Sequence, residues 1–185
     1  YFSYNGNIVM EESVSTDYYE IAALLKEEIA DSTGIQANIS RGKAEKGDIV
    51  LTWDEKETRK EAYHLSIDAD YIVVCAGSRE GLLYGVQTLR QIIKQEGAVL
   101  PALEIEDYPD LPNRGFMHDV TRSRIPTMEQ LKKLVDKCSY YKLNQLQLYI
   151  EHTYLFKDFS EMWRDDTPLT SEDILELDAY CKKLN

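Results

Sequence analysis

The sequence predicts a mixed α/β protein in two parts, and three patterns predict it. Between residues 17 and 105, two helix-period segments are interleaved with short strand-like runs, the make-up of a two-layer α+β domain with a mixed sheet and two helices. Between residues 114 and 150, a strand-like run, an amphipathic helix and a second strand-like run follow one another at crossover length. That βαβ unit builds parallel sheets and barrels. Pro109 and Pro112 punctuate the join, so two domains are expected, 1–108 and 109–185.

The elements follow in order. From Asp17, DYYEIAALLKEEIADSTG carries Ile21, Leu24, Leu25 and Ile29 at helical spacing, and Gly34 supplies the stop. Residues 35–40 and 48–53 read as strands on either side of a polar loop at 41–47. Tyr63, Leu65 and Ile67 alternate with polar neighbours, which marks a half-buried strand. Asp68-Ala69-Asp70 then turns the chain into the unbroken apolar run 71–76, and a hairpin is the natural connection. His64, on the other parity from Tyr63 and Leu65, is expected to face solvent. Gly77-Ser78 caps a second helix with an apolar stripe of Leu82, Leu83, Val86, Leu89, Ile92 and Ile93, ended by Gly97. Residues 100–105 are expected to form a further strand.

In the second part the strand 114–120 has Arg114 at its mouth, and Pro126-Thr127 opens the helix. The next strand, 146–150, runs into an aromatic and charged loop at 151–167. Thr170-Ser171-Glu172-Asp173 has the hydroxyl and acidic residues of a helix start, and the helix is expected to reach about residue 184.

The chain has 185 residues, 43% of them apolar, with a net charge of −12. Such a charge excludes the clustered Lys and Arg that phosphate recognition needs, so no nucleic-acid partner is expected, and no anionic membrane surface either. No apolar stretch approaches the roughly 20 residues of a membrane-spanning helix. Cys75, Cys138 and Cys181 are scattered and form no CxxC pair, so buried free thiols are expected and a zinc site is not. No phosphate-binding loop appears, and no cofactor is expected. The chain begins at Tyr1 without a methionine, which fits trimming or processing of the natural N-terminus, a removed signal peptide included.

Two blocks carry a resemblance. In ADYIVVCAGSREGLLYGVQTLRQII, Gly85, Thr88, Leu89 and Gln91 match a G-x-x-T-L-x-Q signature. In RGFMHDVTRSRIPTMEQLKKLVDKCSYYKLNQLQLYI, a second pattern is matched in order by Arg114, Gly115, Asp119, Val120, Thr121, Arg122, Pro126, Lys142, Leu143 and Asn144. Together they resemble glycoside hydrolase family 20, the β-N-acetylhexosaminidases and their relatives. The resemblance implies a small α/β domain followed by the first two βα units of a (β/α)8 TIM barrel, truncated. It implies a retaining reaction on an N-acetylhexosamine-containing glycan, with the substrate's own acetamido group as nucleophile. An Asp-Glu pair at the end of the fourth barrel strand would serve as orienting group and general acid/base. No catalytic residue is therefore expected within this chain. The rest of the barrel is expected C-terminal to Asn185, and the chain alone is expected to be inactive.

The resemblance also implies a sugar-binding arginine, placed at Arg114, whose fixed donors suit vicinal hydroxyls. Glu151 and His152, at the C-terminal end of the second strand, are candidate pocket residues. They could equally form a solvent-facing pair. Asp119 and Arg122 are expected to orient the loop after the first strand through charge-assisted hydrogen bonds. His118 is expected to pack under the helix, on the opposite face from Met117 and Asp119. Tyr154, Phe156 and Trp163 suit either a sugar platform or a loop closing its own small core, and the second is preferred. One departure stands out: the family's His-x-x-Asp-Asp-Gln-Gly-Trp-Arg loop is replaced by YIEHTYLFKDFSEMW, which suggests a divergent branch. The alternative reading is a non-catalytic carbohydrate-binding or interaction module on the same scaffold.

Overall fold

The computed structural model describes residues 2–3, 7–122, 124–159, 161 and 167–184, and the chain divides into two units, residues 1–110 and 111–185. In the first unit, strands β1 (Phe2–Ser3), β2 (Asn7–Met10), β3 (Asn38–Arg41), β4 (Ile49–Trp53), β5 (Tyr63–Ile67), β6 (Ile72–Ala76), β7 (Val99–Leu100) and β8 (Leu103–Asp107) accompany helices α1 (Tyr19–Thr33) and α2 (Arg79–Glu96). Six of these strands form one sheet in the order β3-β2-β4-β6-β5-β8. Strands β3, β2, β4 and β6 run parallel, while β5 is antiparallel to both neighbours. This is the mixed α/β domain with two helices that the residue pattern predicts.

The hairpin β5–β6 closes where the Asp68 carboxylate accepts from the backbone N–H groups of Asp70 and Tyr71. His64 is exposed while its neighbours Tyr63 and Leu65 are buried, as alternation requires. Both helices lie on the face built by Ile8, Ile49, Leu51, Leu65, Ile72 and Val74, and all six are buried in one core. Each such aliphatic side chain contributes about 1.5–3 kcal/mol by leaving water. Gly34 takes a left-handed φ of 76° to end α1.

The signature residues of α2 bind it to the sheet. A Cβ at Gly85 would lie 2.5 Å from the Val74 Cγ1, so only glycine lets the helix sit this close. One turn further, the Thr88 hydroxyl donates to the Tyr63 Oη (2.7 Å), which donates in turn to the Asp107 Oδ2 (2.7 Å). The match at Gly85 and Thr88 is therefore a match of packing.

Two expectations shift. The strand at 35–40 forms instead at Asn38–Arg41, because its ladder begins where Asn38 meets Asn7. The strand at 100–105 is two strands: β7 pairs with β1 and β8 pairs with β5. They part at Pro101, which lacks the N–H a continuous ladder would need.

The second unit comprises β9 (Gly115–Asp119), α3 (Met128–Tyr140), β10 (Gln145–Tyr149) and α4 (Ser171–Leu184). Strands β9 and β10 pair in parallel across α3, with Gly115 beside Gln145 and Asp119 beside Tyr149. Helix α3 starts in a full capping box: Thr127 accepts from the Gln130 N–H, and the Gln130 side chain accepts from the Thr127 N–H. Helix α4 opens with the same reciprocity between Thr170 and Asp173. A smaller core of Val120, Leu131, Val135, Leu169 and Leu177 joins these elements, with Leu146, Leu148 and Ile150 packed against it.

Candidate functional site

Parallel pairing puts the C-terminal ends of β9 and β10 side by side, and polar residues collect there. Asp119, the last residue of β9, folds the chain back on itself. Its Oδ1 accepts from the backbone N–H groups of Thr121 (2.8 Å) and Arg122 (3.1 Å), and its Oδ2 accepts from Arg122 Nη1 (2.6 Å). This is the charge-assisted turn expected of Asp119 and Arg122. The hydrogen bond from Arg122 is the main cause that holds the Asp119 carboxyl below its ordinary pKa, and the same bond raises that of Arg122.

From β10, Tyr149 donates its hydroxyl to the Glu151 Oε1 (2.6 Å), and Arg122 Nη2 lies 3.3 Å from the same oxygen. The guanidinium also sits over the Tyr149 ring, 5.2 Å from its centroid. Thr121 joins the two strand ends, its Oγ1 accepting from the Glu151 N–H (2.9 Å) and donating to the Tyr149 carbonyl (3.3 Å). Asp119 and Glu151 thus grip one guanidinium from two sides. The Arg122 side chain remains 65% exposed, so the fork is held in place yet open to solvent. A planar donor flanked by carboxylate acceptors suits a ligand rich in vicinal hydroxyls.

Glu151 is exposed and belongs to this cluster, and His152 follows it half-buried. Arg114 does not join them. It precedes β9, at the opposite end of the strand, roughly 17 Å away along a five-residue rise. Its Nε donates to the Lys142 carbonyl (2.9 Å) and its Nη1 to the Leu111 carbonyl (2.8 Å), while its backbone N–H donates to the Asn144 Oδ1 (2.8 Å). Asn144 also donates from Nδ2 to the Pro112 carbonyl (2.7 Å). Lys142 adopts a left-handed φ of 60° in the turn before β10. Arg114 and the Lys-Leu-Asn block are therefore one buckle joining the N-terminal ends of the two strands. Their spacing in the sequence reflects that geometry.

Other expected positions resolve simply. His118 is half-buried and stacks with Phe116, ring centroids 6.3 Å apart. Tyr154 and Phe156 meet edge to face at 4.9 Å, and Tyr154 bridges to Leu169 and packs on the small core, so these two close the loop on itself. Trp163 lies outside the described residues. Among the described residues no group of three His, Cys, Asp or Glu side chains is placed to hold a metal ion. No helix among them is long and apolar enough to cross a membrane. The partner that sequence reading missed is Tyr149. Its signal was parity, since residues 149 and 151 fall on one face of an extended chain.

A mixed α/β domain followed by parallel βα elements recurs in solved structures. The β-N-acetylhexosaminidase from Streptomyces coelicolor aligns with a TM-score of 0.84 at 23% identity, over 99% of this chain and 42% of that one. A Streptomyces plicatus β-hexosaminidase solved in complex with its product GlcNAc aligns with a TM-score of 0.82 at 20% identity, over 99% and 41%. At these identities the likeness speaks for the fold. In sequence, the β-hexosaminidase of Akkermansia muciniphila is 41% identical over 95 residues, 49% of this chain and 19% of that protein. The family model for glycosyl hydrolase family 20, domain 2, matches residues 2–108. The chain belongs to glycosyl hydrolase family 20. Its matches span between 8% and 25% of the length of its curated relatives.

Proposed function

We propose that this chain is part of an exo-acting β-N-acetylhexosaminidase that removes terminal β-linked N-acetylhexosamine by retaining, substrate-assisted hydrolysis. In this reading residues 1–108 are the accessory domain that braces the enzyme. Residues 109–185 contribute the first two βα units of a (β/α)8 barrel, and the remaining units follow Asn185. The orienting Asp and the acid/base Glu belong to those later units, so the 185-residue chain by itself has no turnover.

The observation that carries the reading is the grip of Asp119 and Glu151 on Arg122 at the carboxyl ends of β9 and β10. Barrel enzymes build their active sites at that end of the strands. We assign the contact to sugar hydroxyls to Arg122, with Glu151 and His152 beside it, and give Arg114 a bracing role at the other end. Arg122 offers donors while Glu151 offers an acceptor, which together match two neighbouring hydroxyls on a pyranose.

Hydrolysis of an aryl N-acetyl-β-glucosaminide tests this, comparing a longer polypeptide that carries this chain with the 185-residue chain as control. Turnover by the longer protein alone is the expected result. Absence of turnover on both gluco and galacto substrates overturns the catalytic reading, and sugar binding without turnover then supports the non-catalytic module. Arg122→Ala is expected to lower kcat/KM roughly 100-fold. Arg114→Ala is expected to lower Tm with KM unchanged.

A further inference from the structure

Helices α3 and α4 lie against one another in a register that three cross-helix contacts define. Lys132 Nζ meets Glu176 Oε1 (2.5 Å), Tyr180 Oη donates to Asp136 Oδ1 (2.6 Å), and Ser139 Oγ donates to the Leu184 carbonyl (3.1 Å). The facing partners are thus offset by about 44 positions throughout. Cys138 and Cys181 fall inside this ladder, bracketed by the 136–180 and 139–184 contacts. Their inward position is set by the seam itself. On α3 the buried residues Leu131, Val135 and Cys138 recur at helical spacing, as do Ile174, Leu177, Cys181 and Leu184 on α4.

Both thiols are free, and both line a single cavity of about 50 Å³ with Val135, Leu143, Leu146 and Leu184. The Cys138 thiol is near enough to act electrostatically on that of Cys181, and facing positions on two packed helices can reach the roughly 4.4–6.8 Å between Cα atoms that a disulfide spans. The cavity supplies room for the sulfurs to turn toward each other. We propose that Cys138 and Cys181 are a disulfide-forming site that locks α3 to α4 when the protein meets a small-molecule disulfide oxidant.

The chemistry is a two-step exchange. The half-buried Cys181 is the sulfur an external disulfide reaches first. Its thiolate attacks one sulfur of oxidised glutathione, forms a mixed disulfide and expels one glutathione thiolate. The Cys138 thiolate then attacks the Cys181 sulfur and displaces the second glutathione. Two protein thiols are oxidised, one glutathione disulfide is reduced, and the two protons pass to the glutathione released. Burial raises both thiols above their ordinary pKa, so exchange is slow at neutral pH and accelerates toward pH 9. Cys75, on β6 of the first unit, takes no part and serves as the internal control.

The test is incubation of the full chain with oxidised glutathione at pH 8.5, followed by intact mass and tryptic mapping without reduction. The expected product has lost two hydrogens, contains a peptide linking Cys138 to Cys181, and still alkylates at Cys75. Its Tm is expected to rise by roughly 5–10 °C and to return on reduction. Cys181→Ser should abolish the cross-link, while Cys75→Ser should leave it. A stable glutathione adduct on Cys181 that Cys138 never displaces would overturn the proposal. So would disulfide-linked dimers, or a wild-type protein whose three thiols all remain alkylatable. Because these outcomes are read on the wild-type chain, a misfolded variant does not shield the proposal.

Discussion

The two units are built from the same kinds of element but close their cores to different degrees. Among the described residues, the first unit gathers twenty-three buried apolar side chains into one cluster, and the second gathers five. The first unit has six strands in one sheet with two helices packed on a shared face. The second has a two-stranded parallel sheet whose β10 edge lines an open groove of about 670 Å³ with Ile174 and Leu177 of α4. Phe116, Met117 and Tyr149, all on its strands, are exposed. Parallel sheets are ordinarily covered on both faces, and two strands alone bury too little to be stable. The contrast teaches that folding energy is concentrated in the first unit, while the polar cluster with candidate chemistry sits on the second.

The largest perturbation that would break this contrast is in the first unit. The Glu28 carboxylate of α1 pairs with Arg90 of α2 at 3.3 Å, with side-chain exposures of only 8% and 17%. Removing one partner of a buried pair leaves an uncompensated charge, so Glu28→Ala is expected to cost about 3–5 kcal/mol. In calorimetry the transition of the first unit should fall by roughly 15 °C while that of the second stays in place. A Tm change of less than a few degrees would mean that this pair is solvated and the first core is looser than its packing implies.

Native-state hydrogen exchange sharpens the same contrast without mutation. Amides in β4 and β6 are expected to exchange roughly 100-fold more slowly than those in β9 and β10, a difference of about 2.7 kcal/mol in opening free energy. Equal protection would sink the comparison. A smaller effect lies at the α3 cap. Thr127→Ala removes half of the capping box and is expected to cost the second unit about 1 kcal/mol, leaving the transition of the first unchanged.

Local signals carried most of these elements in the sequence, and non-local pairing decided the rest. The periodic stripe of α2, the Asp68 hairpin and the Thr127 cap each rest on residues within a few positions of one another, so they could be read directly. Strand β2 is only Asn7–Met10 and lies between β3 and β4 through contacts with residues over thirty positions away. Nothing in four residues announces that placement. The same holds at the candidate site. Parity could have joined Tyr149 to Glu151, but only the register that sets Tyr149 beside Asp119 brings Arg122 to both. The placement of Arg114 depends on the same register. A guanidinium at a strand mouth signals chemistry only at the carboxyl end, and Arg114 lies at the amino end, bonded to the Lys142 and Leu111 carbonyls.

The smallest expected effect concerns acid. Asp119 has its pKa depressed, chiefly by the hydrogen bond from Arg122 and next by the Thr121 N–H. A depressed carboxylate stabilises the folded state above its unfolded pKa of about 3.9, and that contribution is lost as pH falls through the lower, folded value. Between pH 5 and 8 the turn should therefore be indifferent to pH. Below about pH 4 the Thr121 and Arg122 amide resonances should shift together as the carboxylate protonates and stops accepting. Asp119→Asn keeps an acceptor oxygen but removes the charge, so it should abolish that acid-range shift and leave the first unit's amides untouched. If instead the first unit's amides moved together with Thr121, the acid transition would be global unfolding and not the loss of this turn. If the Thr121 amide shifted only near pH 4 or above, Arg122 would not be gripping Asp119 in solution, and the preformed fork on which the sugar contact rests would be absent.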